Sequence, residues 1–466
     1  MVIACASKRS GYTSQVASKS SRDRPNFVAQ RPGTARRVAG ANIEHAYGAL
    51  LGSAQHLWRE RLVDTQTAFV LTILVLCYAM VSGLVRRWYL APALIFVVVG
   101  VVLGPSCLGL VEVDVHTRGF TVLANLALTV ILFNQASALD LRIVLRRGHL
   151  SLRLLGFGIP ITVALGTLIA VLVLPALPFW EAVCLAIIVA PTEVALIDAL
   201  LEDRRIPERV RHALSIESGF YDGFALAALL GAVALASEQT HPAAGHWAWF
   251  AFRTEFVSLA AGVVIGVLGG LVISKSSARG WMSGTWAQLA TLALAIVCFG
   301  VGERLHGSGF VTAFAAGLGF AIASSKSAGE VATTQVSDAA GQLLELLVFA
   351  LFGGAAVVPS WRDAGWRVVV FAVLAVIAVR VAAVAIALVG SALPARSTLF
   401  MGWFGPRGIG TLVLGLIVIE RGEIQQGALI TQAVVVTVTV SLVVHSFTAP
   451  LGIRLGELKD TSKETS

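Results

Sequence analysis

The chain has 466 residues, of which 56% are hydrophobic and 13% charged, with a net charge of +8 and a mean hydropathy of +0.81. Because soluble domains are about half apolar and about a quarter charged, this composition excludes a soluble enzyme, a disordered chain and a fibrous repeat. It indicates an all-α polytopic membrane protein, since helices satisfy their own backbone hydrogen bonds in lipid. In such a protein, a surplus of Lys and Arg is typical of cytoplasmic loops and does not indicate binding of nucleic acid.

Residues 1–62 differ from the rest of the chain. They carry ten Lys and Arg residues and contain no sustained apolar run. This composition predicts a disordered basic extension that the membrane part does not need for insertion. The alternative is an amphipathic helix over 43–58 lying on the membrane surface, because apolar residues recur there at helical spacing.

Thirteen apolar stretches of membrane-spanning length follow from Thr65 onward. They cover 66–85, 91–110, 119–139, 151–174, 181–201, 210–236, 252–273, 285–303, 308–324, 339–358, 366–390, 397–419 and 427–450. With the first span starting outside, the inner loops and the tail at 453–466 hold seventeen Lys and Arg residues and the outer loops six. This distribution predicts a cytoplasmic C-terminus, although the basic extension opposes it.

The sequence contains no motif for a cofactor. It has no GxxxxGK[ST] phosphate loop, its nine histidines lack zinc-type spacing and its five cysteines form no CxxC pair. We therefore expect neither nucleotide nor cofactor nor resident metal, and we interpret the cysteines within apolar runs as small core residues.

Two predicted spans contain helix-breaking residues beside a charge. Pro191 precedes Thr192 and Glu193 in the fifth span, and Gly405 and Pro406 precede Arg407 in the twelfth. Proline removes a backbone donor and clashes with the preceding turn, so each helix must kink or unwind there. Paired interrupted helices in two halves of a membrane protein are typical of a transporter binding site, whereas the simpler interpretation is two ordinary proline kinks.

The sixth span, ALSIESGFYDGFALAALLGAVAL, holds two carboxylates that are expensive to bury in lipid. Ser218 and Asp222 are four residues apart and share one helix face, while Glu217 and Tyr221 share the neighbouring face. Arg380 and Arg407 are the arginines deep in apolar runs, so each carboxylate could have a basic partner. We favour a division in which one carboxylate is paired and the other is free to bind a ligand, because two static ion pairs are a costly way to join helices.

These motifs resemble the monovalent cation:proton antiporters of the sodium/proton exchanger, NhaP-like type. The resemblance lies in APTEVALIDALLEDRRIPERVRHALSIESGFYDG, and it extends to RLLGFGIPITVALGTLIA, GSGFVTAFAAGLGFA, AVRV and GWFGPRGIGTLVL. It covers essentially everything after residue 65. It implies a cell-membrane protein, in bacteria the inner membrane, with about 13 transmembrane helices, inverted repeats and two broken crossing helices.

The same resemblance implies a domain division and a homodimer that works by an elevator motion. Dimerisation-domain spans would occupy 65–145, core-domain spans 151–236 and 366–452, and a linker with further dimerisation spans 250–358. The partners would be the transported Na+, Li+ or K+, protons and membrane lipid, with no nucleic acid and no nucleotide.

Residue by residue, the resemblance implies that Asp222 binds the cation or the proton. Ser218 and Thr192 fall on ligand positions, and Glu193 falls on the aspartate of the broken helix. Glu217 falls on the glutamate that pairs with the arginine of the eleventh span, here Arg380.

The chain departs from the family at several of these positions. Tyr221 stands where electroneutral members have Asn and electrogenic members Asp, Glu193 replaces Asp, and Asn134 with Gln135 lies where some members have an acidic ligand. Because Tyr221 adds no second carboxylate, we expect one proton to exchange for one cation. Alternatives are a K+-selective exchanger, a cation channel, another inverted-repeat transporter such as a symporter, and, ranked last, an intramembrane enzyme.

Overall fold

The computed structural model describes residues 65–88, 90–111, 117–139, 149–193, 196, 206–238, 245–324, 334–391, 393–421 and 424–455. Regular secondary structure within these ranges is entirely helical. The extension at 1–62 and all of the tail beyond residue 455 lie outside the described residues, so what was predicted for them stays a prediction.

Fourteen helices follow one another in this part of the chain. They are α1 Thr65–Arg87, α2 Pro92–Leu103, α3 Arg118–Ser137, α4 His149–Val173, α5 Phe179–Val189, α6 Glu208–Glu238, α7 Gly245–Ala278, α8 Gly284–Arg304, α9 Gly309–Ser324, α10 Gln335–Asp363, α11 Trp366–Ala387, α12 Ala395–Trp403, α13 Ile409–Arg421 and α14 Gly427–Leu455. Helices α4, α10 and α11 each contain a π-helical turn, at Leu154–Gly158, Gly353–Val357 and Leu374–Val379.

All thirteen predicted spans overlap a helix, which confirms an all-α polytopic membrane fold. Nine helices of the described chain are long and apolar enough to cross a membrane, and α2, α5, α9 and α13 are shorter apolar helices. Within the predicted fifth span over 181–201, α5 ends at Val189, just before the break predicted at Pro191. The predicted twelfth span over 397–419 is two helices, α12 and α13, separated by the Gly405–Pro406 break.

Glycines in α7 allow very close helix packing. A Cβ on Gly262 would overlap the carbonyl oxygen of Thr312, and one on Gly266 would overlap that of Ala316, so neither position accepts a side chain. The contact partner is α9 of the same chain. These glycines are therefore used for packing within the subunit.

Most helix contacts fall into two groups. Helices α4, α5 and α6 pack with α11 to α14, while α2, α3 and α7 to α10 pack with one another. Helix α1 exposes large apolar side chains such as Phe69 and Met80, as expected of a surface in lipid.

The interpretation of the cysteines needs a correction. Cys184 and Cys298 are buried core residues, but Cys77 on α1 and Cys107 after α2 are exposed. An apolar run in a membrane protein has an outward face that lipid covers, so apolar context does not identify a residue as part of the protein core.

Candidate functional site

The two interrupted helices cross and are joined by a backbone hydrogen bond. Residues 190–193 follow α5 and 404–408 connect α12 to α13, both without helical structure. The N–H of Glu193 donates to the carbonyl oxygen of Pro406 over 2.7 Å. The structure thus brings Pro191, Thr192 and Glu193 together with the Gly405–Gly408 segment in the interior of the bundle.

The glycines of the second break are required by this close approach. A Cβ on Gly405 would lie 2.9 Å from the Cγ2 of Thr192 and 2.7 Å from the Nε of Arg380. A Cβ on Gly408 would lie 2.5 Å from the Cβ of Glu193. Only residues without a side chain let the two segments meet in this way.

Helix α6 contributes polar groups to the same place. The hydroxyl of Ser218 donates to the carbonyl oxygen of Thr192 over 2.7 Å, so it attaches the first break to α6. Both side chains are buried. Asp222 belongs to α6, one helical turn beyond Ser218, but its side chain lies outside the described residues.

Glu217 and Arg380 form a buried bidentate ion pair. The two guanidinium nitrogens lie 2.5 Å and 2.8 Å from the two carboxylate oxygens, and the side chains are 0% and 1% exposed. The pair joins α6 to α11 immediately after the π-helical turn Leu374–Val379. With both carboxylate oxygens engaged by Arg380, Glu217 is held as a fixed connection between the helices.

Helix α3 presents two neighbouring amides in different directions. The Gln135 amide donates to Oε1 of Glu193 over 3.2 Å, and its own Oε1 has no hydrogen-bond partner within the described ranges. The Oδ1 of Asn134 instead accepts from the hydroxyl of Ser337 on α10 over 2.7 Å. Gln135 therefore belongs to the crossing, whereas Asn134 joins α3 to α10.

Arg407 and Tyr221 are both fully buried beside the crossing. The guanidinium of Arg407 donates to the carbonyl oxygen of Gly405 over 3.0 Å, and its backbone N–H donates to the hydroxyl of Ser441 on α14 over 2.8 Å. Tyr221 on α6 places a large, fully buried ring in the protein interior and supplies no carboxylate. In the described part of the chain, no three His, Cys, Asp or Glu side chains are grouped so as to hold a metal ion.

Two sets of buried contacts, one at the second break and one at the start of α14, were missed from the sequence. Ser441 and His445 contact the second break from α14, and Glu181 on α5 accepts from the N–H groups of Gln425 and Gln426 at the start of α14. The available signal was a buried ionisable residue in an apolar stretch, since both Glu181 and His445 lie in predicted spans.

Comparison with known proteins identifies the family to which this arrangement belongs. The family model described as the transmembrane sodium/hydrogen exchanger matches residues 70–452. A probable Na+/H+ antiporter of Schizosaccharomyces pombe is 28% identical over 269 residues, covering 54% of this chain and 34% of the relative. The K+/H+ antiporter NhaP2 of Shewanella baltica is 26% identical over 227 residues, covering 48% of this chain and 38% of the relative.

Solved structures have the same fold. The sodium proton antiporter MjNhaP1 of Methanocaldococcus jannaschii at pH 8 superimposes with a TM-score of 0.68 at 16% identity, covering 82% of this chain and 98% of that one. The alignments to the two curated relatives above span little more than a third of those proteins' length. Since the family model covers most of the sequence, the chain belongs to the transmembrane sodium/hydrogen exchanger family.

Proposed function

We propose that this chain is a secondary active antiporter that exchanges a monovalent cation for protons. The observation that carries the proposal is the crossing itself: two interrupted helices are joined through Glu193 and Pro406, and the Ser218 hydroxyl of α6 donates to the Thr192 carbonyl oxygen in the first break. Irregular backbone at membrane depth is tolerated where it lines a polar cavity, and such crossings bind ions in transporters. Relatives carrying the names Na+/H+ and K+/H+ antiporter support the same chemistry.

In this proposal Asp222 holds either a proton or the cation. A bound cation favours the charged carboxylate and a bound proton the neutral form, so the two ligands compete. An unneutralised carboxylate is very costly to move through an apolar barrier, so the carrier reorients only when a proton or a cation is bound to Asp222. Hydroxyl and carbonyl oxygens from Thr192 and Ser218 replace the water lost by the cation, with Glu193 as a further carboxylate.

The moving part in this proposal is the core group of α4 to α6 and α11 to α14. It slides as an elevator against the remaining helices, which form the interface of a homodimer. The grouping of helix contacts supports this division, because most contacts lie within one group or the other, and those between the groups come mainly from α6, α13 and α14. The orientation follows the loop charges, with the C-terminus in the cytoplasm of a bacterial inner membrane.

Exchange in proteoliposomes tests the proposal and defines the cation. We expect Na+, Li+ or K+ added outside vesicles to collapse a preformed pH gradient, with one of the three preferred. Asp222→Asn cannot trade a proton for a cation and should abolish the collapse in protein that still folds. Asp363→Asn, at an exposed position at the end of α10, is the matched control and should behave as wild type.

Two results would contradict the proposal. A cation current without proton movement would indicate a channel. Exchange at the wild-type rate in Asp222→Asn would show that the ion site is elsewhere.

A further inference from the structure

The second break leaves backbone groups that need partners in the interior of the bundle. The carbonyl groups at the end of α12 and the N–H groups before α13 have no helical partners. In a membrane interior such groups must be satisfied by other parts of the protein. Two side chains on one turn of α14, Ser441 and His445, supply these partners on both sides of the break, and both are buried.

His445 binds the end of α12. Its Nε2 lies 2.8 Å from the carbonyl oxygen of Trp403, the last residue of that helix. A carbonyl oxygen only accepts, so Nε2 carries a hydrogen. One turn further along α14, the Oγ1 of Thr448 accepts from the Trp403 indole over 3.0 Å, so the end of α12 is attached to α14 twice.

Ser441 binds the other side of the break and is linked to His445. Its hydroxyl oxygen accepts from the Arg407 N–H over 2.8 Å and lies 3.1 Å from the Nδ1 of His445. With hydrogen on Nε2 alone, the Ser441 hydroxyl donates to Nδ1; with hydrogen on Nδ1 as well, Nδ1 donates to the Ser441 carbonyl oxygen, which is closer at 2.7 Å. In both forms the bond to Trp403 persists and the Ser441 hydroxyl oxygen accepts from the Arg407 N–H.

The contact at Arg407 has a direct consequence for the candidate ion site. The N–H of Arg407 and the carbonyl of Pro406 belong to the same peptide group, which is planar. Ser441 holds this peptide by its N–H at 2.8 Å, and the N–H of Glu193 holds it by its carbonyl at 2.7 Å. Rotation of the peptide away from Ser441 would therefore also turn the Pro406 carbonyl away from Glu193.

We propose that Ser441 and His445 are positioning residues for the ion site, because together they orient the Pro406–Arg407 peptide against Glu193. They act through this peptide. The effect on ion affinity rests on the exchange function proposed above. The orientation of the peptide itself can be measured without any transport.

Two measurements on purified full-length protein test this inference. Ser441→Ala removes the acceptor of the Arg407 N–H, so amide hydrogen exchange of the 404–409 segment should be about tenfold faster. In proteoliposomes the apparent KM for the preferred cation should rise about tenfold while the maximal rate changes by less than about twofold. Ser441→Thr keeps a hydroxyl and should restore both values toward wild type.

Ser446 provides the matched control. It lies on the same helix, is equally buried, and its hydroxyl has no hydrogen-bond partner within the described residues. Ser446→Ala should leave the 404–409 amide exchange and the KM as in wild type. Equal effects of Ser441→Ala and Ser446→Ala would mean that α14 is merely sensitive to substitution, and would overturn the positioning role.

A variant of His445 covers the case in which Ser441→Ala does not fold. His445→Gln keeps a donor for the Trp403 carbonyl but loses the contacts of Nδ1 with Ser441, so its KM and amide exchange should lie between wild type and Ser441→Ala. Wild-type values in this variant would overturn the inference. If wild-type protein exchanges no cation, the proposed function fails, and the amide exchange still decides whether Ser441 and His445 hold the peptide.

Discussion

At the scale of single residues, the buried charges are the most informative feature of the chain. Both carboxylate oxygens of Glu217 are engaged by Arg380, whereas Glu193 lies at the crossing and accepts from Gln135 through Oε1. A bidentate pair leaves no carboxylate oxygen in its plane for another ligand, so Glu217 serves as a fixed connection between α6 and α11.

The Glu217–Arg380 pair predicts a pattern of stabilities. Removing one partner leaves a buried charge uncompensated, so Glu217→Gln and Arg380→Gln should each lower the unfolding free energy by about 3–5 kcal/mol. The double variant should recover part of this loss, since neither charge then remains. Thermal unfolding in detergent gives the comparison, with the exposed Arg396→Gln as a control. A double variant as unstable as the sum of the two single variants would show that the residues are not coupled.

At the scale of helices, breaks and close contacts decide the arrangement. Proline ends α5, and glycine allows the connection between α12 and α13 to touch it. The exposed face of α1 carries apolar side chains suited to contact with lipid, whereas the glycine face of α7 packs against α9. Both consist of small or apolar residues, so composition alone does not distinguish them.

Gly408 should be intolerant of any side chain. Its added Cβ would lie 2.5 Å from that of Glu193, so Gly408→Ala must separate the two breaks. We expect exchange to fall by about 100-fold, the loss that a displacement of about 1 Å causes in a preorganised site. Gly231→Ala on α6, where nothing lies within 4 Å, should be neutral. Equal activity of both variants in the pH-gradient assay would contradict this packing argument.

Glu181 should stabilise the start of α14. Its two carboxylate oxygens accept from the N–H groups of Gln425 and Gln426 over 2.8 Å and 3.0 Å. Glu181→Ala removes the two acceptors that α5 supplies to the start of α14. This should cost about 1–2 kcal/mol of stability, as loss of a helix cap does. Glu208→Ala, at an exposed position on α6, should cost little in the same thermal measurement. No difference between the two variants would argue against a capping role.

At the scale of the whole molecule, the charge carried per cycle depends on how many carboxylates titrate. Tyr221 adds none at the position where a second one would lie in electrogenic relatives, so we expect electroneutral exchange of one proton for one cation. Electrical recording from protein adsorbed on a solid-supported membrane should then detect no sustained current during exchange. A current that disappears in Glu193→Gln would contradict this expectation and identify Glu193 as the second proton site.

The sequence by itself determined the membrane class, the order of the spans, the two breaks and the chemistry of the buried charges. These features are local: hydropathy, proline geometry and the cost of a charge in lipid act within one stretch of chain. The same locality explains why the two breaks could be placed at Pro191 and at Gly405–Pro406. The pairing of Glu217 with Arg380 is not local, since the two residues are 163 positions apart, and it was expected only from the family resemblance.

Only the tertiary structure decided which groups satisfy the broken backbone. The partners of the Trp403 carbonyl and the Arg407 N–H lie on α14, and those at the start of α14 lie on α5. Ser441 is 34 residues from Arg407, and Gln425 is 244 residues from Glu181. A hydrogen bond between distant segments depends on how the helices pack, and no periodicity or local motif records that packing.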